Sequence, residues 1–307
     1  MTIRPPSPRS GESARNPVAQ RGGQRLQEIF DELYSLVGLQ SVKEEFYGLY
    51  NFARVVSQRK QRDMPVSNLT FHMVFTGPPG TGKTTVARYV GELLYELKLL
   101  RKNKLIEVDR SKLVGTHLGD TAKIVTDTVK EALDGVLFID EAYTLAGGGG
   151  PTSNTDPYGQ EAIDTLLKHM EDHRERLVVI FAGYSGEMRR FVDANPGLQS
   201  RIAKTIEFPS YGGDELFAIF KRLVDTNHLI LTGDAEHEAE KLIRDIASAG
   251  KKDENFGNAR VVRQVFEALQ PIQAQRISEE TEDLDAISDD ALMTITDQDI
   301  QIYESRR

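Results

Sequence analysis

The stretch Phe71 to Thr85, FHMVFTGPPGTGKTT, restricts what this chain can fold into more than any other. FHMVFT is an apolar, β-prone run. GPPGTGKT fits the spacing GxxxxGK followed by Ser or Thr from Gly77 to Thr84, and VARYVGELLYEL continues at helical intervals. Strand, loop and helix thus follow in the order that a phosphate site requires. Gly77, Gly80 and Gly82 free the backbone for conformations that a side chain forbids, so successive N–H groups can converge on phosphate oxygens. The positive end of the following helix adds to that field. Lys83 supplies a cation for the terminal phosphates and Thr84 a hydroxyl ligand for Mg²⁺. The expected contacts of a bound nucleotide, with ATP as cofactor, therefore run through Gly77, Pro78, Pro79, Gly80, Thr81, Gly82, Lys83, Thr84 and Thr85. A Gly/Pro turn beside an unrelated lysine would need neither the strand before it nor the helix after it.

With 307 residues the chain exceeds what one core usually supports, so two folded units are expected. Its 39% hydrophobic and 28% charged residues are ordinary for a globular protein. The net charge of −9 disfavours a nucleic-acid surface, which needs clustered Lys and Arg, so no nucleic-acid partner is expected. No apolar run reaches the roughly 18 residues of a membrane span, and the Arg-, Pro- and Ser-bearing start lacks the apolar centre of a secretory signal. Cysteine is absent, which rules out disulfides and fits a cytoplasmic location.

Residues 1–24 carry Pro, Ser, Gly and scattered Arg and are expected to form a disordered N-terminal tail. LQEIFDELYSLVG and EEFYGLYNFARVVSQRK read as two helices. Beyond the phosphate loop, Leu105 to Val108 alternate as a short strand, TAKIVTDTVKEAL is helical, and GVLFIDEA is an all-apolar strand ended by two acids. AGGGGPTSNTDPYG is a loop on composition, GQEAIDTLLKHMEDHRE resumes a helix, LVVIFAG is another buried strand, and TIEFP a last short one. Apolar strands separated by helices predict an α/β fold with a parallel sheet sandwiched by helices over residues 25–208. From 209 to 307 the pattern is helical throughout, which predicts a small all-helical unit, with the acidic SEETEDLDAISDD as a solvated loop.

Asp140 and Glu141 end the VLFID strand. In a parallel sheet the carboxyl ends of the strands face the ligand crevice, so both acids are expected near the phosphates, with the phosphate loop on a neighbouring strand. Asp140 would hold Mg²⁺, directly or through water, and Glu141 would orient and deprotonate the attacking water. His169 and His173 stand four apart on a predicted helix, but with charged surroundings and no third ligand they read as a solvated face. No Ser/His/Asp arrangement is legible.

LVGLQSVK, HMVFTGPPGTGKTTVAR, LVGTHLGDTA, GVLFIDEAYTL, GQEAIDTLLKHMED, VVIFAGYSGEM, NPGLQSRI and GNARVVR together resemble the AAA+ ATPases. Within that superfamily the segments look like the CbxX/CfxQ group, which holds stage V sporulation protein K and the red-type Rubisco activases. The resemblance covers roughly Leu26 to the end and implies a P-loop NTPase domain followed by a helical lid. It also implies that Val37 and Gly38 pack on adenine, that Arg201 is an arginine finger reaching the nucleotide of an adjacent subunit, and that Arg260 is the sensor 2 arginine of the lid. Where many relatives place a polar sensor 1 residue, this chain has Gly183 and Tyr184. LVGTHLGDTA matches the loop that lines the central pore, where relatives carry an aromatic and this chain carries His117 and Leu118; Tyr158 is a second pore contact or an ordinary loop tyrosine.

The resemblance implies an ATPase, turning ATP and water into ADP and phosphate, that works as a homo-oligomer, expected to be a hexamer, and remodels a protein client in the manner of stage V sporulation protein K. Two alternatives stand beside it. One is a red-type Rubisco activase, weakened by the missing pore aromatic. The other is a nucleotide-controlled scaffold that does no threading.

Overall fold

Interior and edge strands differ in sequence as they differ in position. In a computed structural model that describes residues 23–66, 69–117, 119–147, 156–251, 253, 255–281, 283 and 286–307, five parallel strands form one sheet in the order β2-β3-β4-β1-β5. The three central strands, β1 (Met73–Thr76), β3 (Val136–Ile139) and β4 (Val178–Gly183), are buried along their whole length, which their unbroken apolar sequences require. The edge strands β2 (Leu105–Val108) and β5 (Lys204–Glu207) mix polar and apolar residues, because one side of each meets water.

Alternate residues of the strands enter two separate cores. Met73, Phe75, Phe138, Ile180 and Ile206 pack against α1 (Gln24–Ser35), α2 (Gln40–Gln61) and α3 (Lys83–Glu96). Val74, Leu137, Ile139, Val179 and Phe181 pack against α4 (Asp120–Ala132), α5 (Pro157–Asp172) and α6 (Ser185–Asp193). The sheet is therefore covered on both faces, as its sequence predicts. A one-turn helix α7 (Pro196–Gln199) leads into β5.

A third core lies among α8 (Gly213–Thr226), α9 (Gly233–Gly250), α10 (Ala259–Glu280) and α12 (Asp297–Arg306). This part is helical as expected, with one addition: β6 (Ile230–Leu231) pairs in parallel with β7 (Thr294–Ile295). Two residues are too few to show strand periodicity, and the partners are far apart in sequence. The acidic stretch is shorter as a loop than its charge suggested, since α10 runs through Glu280 and Asp289 opens α11 (Asp289–Met293). The expected disordered tail, residues 1–24, overruns the start of α1 at Gln24, and its residues 1–22, with Leu118 and residues 148–155, lie outside the described residues. Among the described residues no helix is long and apolar enough to cross a membrane.

Candidate nucleotide site

The loop after β1 is held open by its glycines for two distinct reasons. Gly77, Gly80 and Gly82 have φ of 137°, 70° and 95°, the left-handed half of backbone space that the sequence predicts for them. In addition, a Cβ at Gly77 would come 2.1 Å from the Phe208 carbonyl oxygen, and one at Gly80 would come 2.0 Å from that of Gly257. The second reason is tertiary and has no trace in the loop's own sequence. The Gly77 amide donates to the Gly183 carbonyl at 3.0 Å, and the Thr81 hydroxyl to the Pro78 carbonyl at 2.9 Å. Gly82 caps α3, so Lys83, Thr84 and Thr85 form its first turn.

Lys83 Nζ folds over the loop and donates to the carbonyls of Gly77 at 2.8 Å and Pro78 at 2.7 Å. Burial lowers its pKa to about 8; the Asp140 and Glu141 carboxylates pull it back up, and the Arg260 guanidinium presses it down. A bound polyphosphate favours the cation, so it must raise this pKa. Full affinity is then present below the free-site pKa and is lost as pH rises through it. We expect ATP binding to take up most of one proton at about pH 8.5 and almost none near pH 7. Titration calorimetry in two buffers of different ionisation enthalpy checks this, and equal heats at the higher pH would contradict it.

Asp140 and Glu141 follow β3, where the Asp140 amide donates to the Val108 carbonyl at 2.8 Å. They stand one strand further from the loop than expected, because β4 lies between β1 and β3. The chain visits the sheet's edge at β2 before filling inward, so nearness in sequence does not give the spatial order. Glu141 takes a left-handed backbone at φ 46° and ψ 42°, which costs a non-glycine residue about 1–2 kcal/mol. Its amide donates to Asp140 Oδ1 at 3.0 Å, and its carbonyl accepts from the Thr144 amide at 2.9 Å and the Thr144 hydroxyl at 2.7 Å. These bonds hold the sharp turn that carries Glu141 off the strand axis.

Tyr184 precedes α6 with its ring 6.0 Å from that of Tyr143. Burial and then the Glu141 carboxylate raise the pKa of its hydroxyl, while Arg260 opposes them. A Cβ at Gly183 would meet the Tyr143 ring at 2.7 Å and Met188 Sδ at 2.8 Å, so any side chain there would have to displace one of them. Asp140, Glu141 and Arg260 thus lie within electrostatic reach of both Lys83 and Tyr184.

Val37 and Gly38 lie in the turn between α1 and α2. Gly38 has φ of 60°, and a Cβ there would come 2.1 Å from Glu215 Oε1 and 3.4 Å from the Tyr211 ring. A Cβ at Gly82 would lie 3.7 Å from Leu39 Cδ1 and 4.0 Å from the Tyr211 hydroxyl. The turn, the start of α3 and Tyr211 therefore meet beside the phosphate loop. Buried Lys43 donates to the Leu36 carbonyl at 2.6 Å; burial lowers its pKa and Glu215 partly restores it.

Sequence reasoning missed Asn258 and Tyr211. Asn258 is completely buried at φ 48° and ψ −123°, a backbone outside the left-handed helical region that its hydrogen bonds must hold in place. Its Oδ1 accepts from the Tyr211 amide at 2.9 Å, and its Nδ2 donates to the carbonyls of Phe256 at 2.8 Å and Pro79 at 3.3 Å. The Tyr211 hydroxyl donates to the Thr81 carbonyl at 3.3 Å, and the Ala259 amide to that of Gly80 at 3.3 Å. Arg260 follows in the first turn of α10, so this latch fixes the arginine against the loop. The signal was the GNAR motif itself, read for its arginine and not for its asparagine. Asn258→Ala leaves the Tyr211 amide unpaired and is expected to cost about 2–3 kcal/mol. A lower midpoint in urea checks this; an unchanged midpoint would show that the latch bears no load.

Arg201 is not brought to this site. It precedes the amino end of β5, whereas the phosphate loop leaves the carboxyl end of the adjacent β1. His117 is exposed beside α4, and its pore partner Leu118 is outside the described residues. Tyr158 lies in the first turn of α5, its amide donating to Asp156 Oδ1 at 3.2 Å. The His169 and His173 rings stack at 5.6 Å, and His169 Nε2 bonds the Thr126 hydroxyl at 3.1 Å. Both rings are half-buried, so the pair is less solvated than its charged surroundings suggested.

Residues 73–210 match the ATPase family associated with various cellular activities (AAA), and residues 212–307 match the AAA lid domain. The chain is 42% identical over 279 residues to stage V sporulation protein K of Bacillus subtilis, covering 91% of this chain and 84% of that protein. It is 42% identical over 254 residues to the chloroplastic ribulose bisphosphate carboxylase/oxygenase activase of Cyanidioschyzon merolae, covering 82% of this chain and 84% of that one. Against the ESX-3 secretion system protein EccA3 of Mycolicibacterium smegmatis it is 39% identical over 285 residues, 90% of this chain but only 46% of that longer protein. The fold is shared with the FIGL-1 AAA domain in complex with ADP, at a TM-score of 0.56 and 18% identity, covering 89% of this chain and 82% of that chain. With a phosphate loop, a strand-end acid pair and a lid arginine converging as described, the chain belongs to the AAA+ ATPases, in the CbxX/CfxQ group.

Proposed function

We propose that this ATPase works as a cytoplasmic ring, a hexamer, in which each nucleotide is shared between two copies of the chain and its hydrolysis remodels a protein client. One observation carries the reading. Arg201 and the phosphate loop stand at opposite ends of the paired strands β1 and β5, so a strand of four residues, about 13 Å, separates them within one chain. An arginine so placed serves a nucleotide only if that nucleotide belongs to a neighbour.

Within one site the roles follow from the chemistry. Val37 and Gly38 pack on adenine. Loop amides from Gly77 to Gly82, the start of α3 and Lys83 hold the phosphates. The donor set fits Mg²⁺, with the Thr84 hydroxyl and the Asp140 carboxylate as its protein ligands; when bound, it would neutralise charge on the phosphates. Glu141 accepts the proton of the attacking water, which Tyr184 helps to orient. Arg201 of the adjacent copy and Arg260 of the lid meet the charge that develops on the transferred phosphoryl group. Since Asn258 and Tyr211 tie the lid to the phosphate loop, a change at the phosphates is carried into the lid.

His117 and Tyr158 are the client contacts of this reading. A histidine grips an extended peptide less firmly than an aromatic does. Activation of Rubisco is the second reading, favoured by the 42% identity to the algal activase. The test is ATP turnover per chain against protein concentration, with light scattering alongside. A steep rise in specific activity as larger particles form supports the shared site. Constant specific activity from a monomer would refute it, leaving a nucleotide-controlled scaffold or an ATPase that works alone.

A further inference from the structure

Arg201 is held in its own chain by a carboxylate that also holds a second arginine. Its Nη2 lies 3.4 Å from Glu171 Oε2, and its Nη1 donates to the Gly197 carbonyl at 3.0 Å and the Ser200 hydroxyl at 3.4 Å. Its Nε is buried with no acceptor among the described residues. The other oxygen of the same carboxylate, Glu171 Oε1, accepts from Arg174 Nη1 at 3.1 Å. Glu171 stands in the last turn of α5, at the negative end of the helix dipole, where a carboxylate is unfavourable unless cations attend it. Two arginines do.

The backbones beneath these side chains are fixed. His72, held neutral by burial with its pKa lowered to about 4, accepts the Val179 amide on Nδ1 at 3.0 Å, and its Nε2 lies 3.4 Å from the carbonyl of Met170, the residue before Glu171. The His72 carbonyl accepts the Ala203 amide at 2.8 Å, and the Thr70 hydroxyl donates to the Arg201 carbonyl at 2.9 Å. The backbone at or beside both partners is therefore tied to the lead-in of β1, so side-chain rotation is the shorter way to part them. The contact itself is soft: one long N···O approach to a carboxylate that is 49% exposed. A bidentate bond to phosphate is stronger than such a pair.

We propose that Glu171 is a positioning residue which parks the Arg201 guanidinium within its own subunit, and that Arg174 weakens that hold by sharing the carboxylate. This rests on the reading of Arg201 as a residue that acts on a neighbour's nucleotide. Both Nη groups, which a phosphate would need, are taken up by acceptors of Arg201's own chain. Insertion into the neighbouring site then requires Glu171 to let go, so parking competes with assembly of the active ring.

Four forms of the full chain test this: wild type, Glu171→Gln, Arg174→Ala and the double variant, each assayed for ATP turnover against protein concentration. Glu171→Gln is expected to lower the half-maximal concentration about two- to fivefold, the range of a partly exposed ion pair. Arg174→Ala leaves the carboxylate to Arg201 alone and is expected to raise it by a similar factor. The double variant should follow Glu171→Gln, because Arg174 acts only through Glu171. At saturating protein the KM for ATP should be common to all four. A merely structural role would shift both single variants in the same direction, and that result overturns the proposal, as do curves that superimpose on wild type. Arg201→Ala, run in parallel, separates the two failures. If it is inactive while the other variants behave as wild type, only the parking role falls; if it turns over normally, the shared site falls with it.

Discussion

Glu141→Gln is expected to bind ATP and to lose turnover by about two to four orders of magnitude, the usual range on removal of a general base. The turn that carries Glu141 is built from the Asp140 side chain, the Thr144 hydroxyl and backbone groups, none of which the substitution touches. Gln has nearly the shape of Glu and meets the same left-handed backbone cost, so the fold should melt as wild type does. The amide cannot take a proton from water. Turnover should therefore fall while ATP affinity stays, and the ATP-bound oligomer should persist long enough to be isolated with a trapped client. Normal turnover in this variant would assign water activation to another residue.

Arg201→Ala is expected to keep ATP binding and lose about three to five orders of magnitude in turnover, the range measured when an arginine finger is withheld. Binding survives because Arg201 takes no part in its own chain's loop, which is built from Gly77 to Lys83 and latched by Asn258 and Tyr211. Stability should change little, since the arginine's intrachain contacts are one long ion pair, one carbonyl and one hydroxyl. An Arg201→Ala protein that no longer bound ATP would place the arginine in its own site instead.

What the sequence revealed and what it hid divide along physical lines. Local rules found the elements: continuous apolar runs became central strands, alternating ones became edges, and the glycines of the phosphate loop took the positive φ expected of them. Features that depend on distant partners stayed hidden. Gly77 and Gly80 are also compelled by the carbonyls of Phe208 and Gly257, more than 130 residues away in the chain. Asn258 reaches Tyr211 across 47 residues and Pro79 across 179, and no spacing rule joins them. The interposed β4 moved Asp140 and Glu141 one strand from the loop because strand order is set by packing and not by succession. The position of Arg201 at the far end of the sheet became evident only once β5 was paired with β1.

The most direct measurement is subunit mixing. Lys83→Ala cannot hold ATP but keeps its Arg201, and Arg201→Ala holds ATP but has no arginine to offer. Each alone should be inactive. Titrating one into the other at constant total protein should restore turnover, rising to a maximum at intermediate ratios, because mixed neighbours rebuild whole sites at their boundaries. Activity that stays at the level of the separate variants at every ratio, in mixtures shown by light scattering to co-assemble, would contradict a site shared between two copies of this chain.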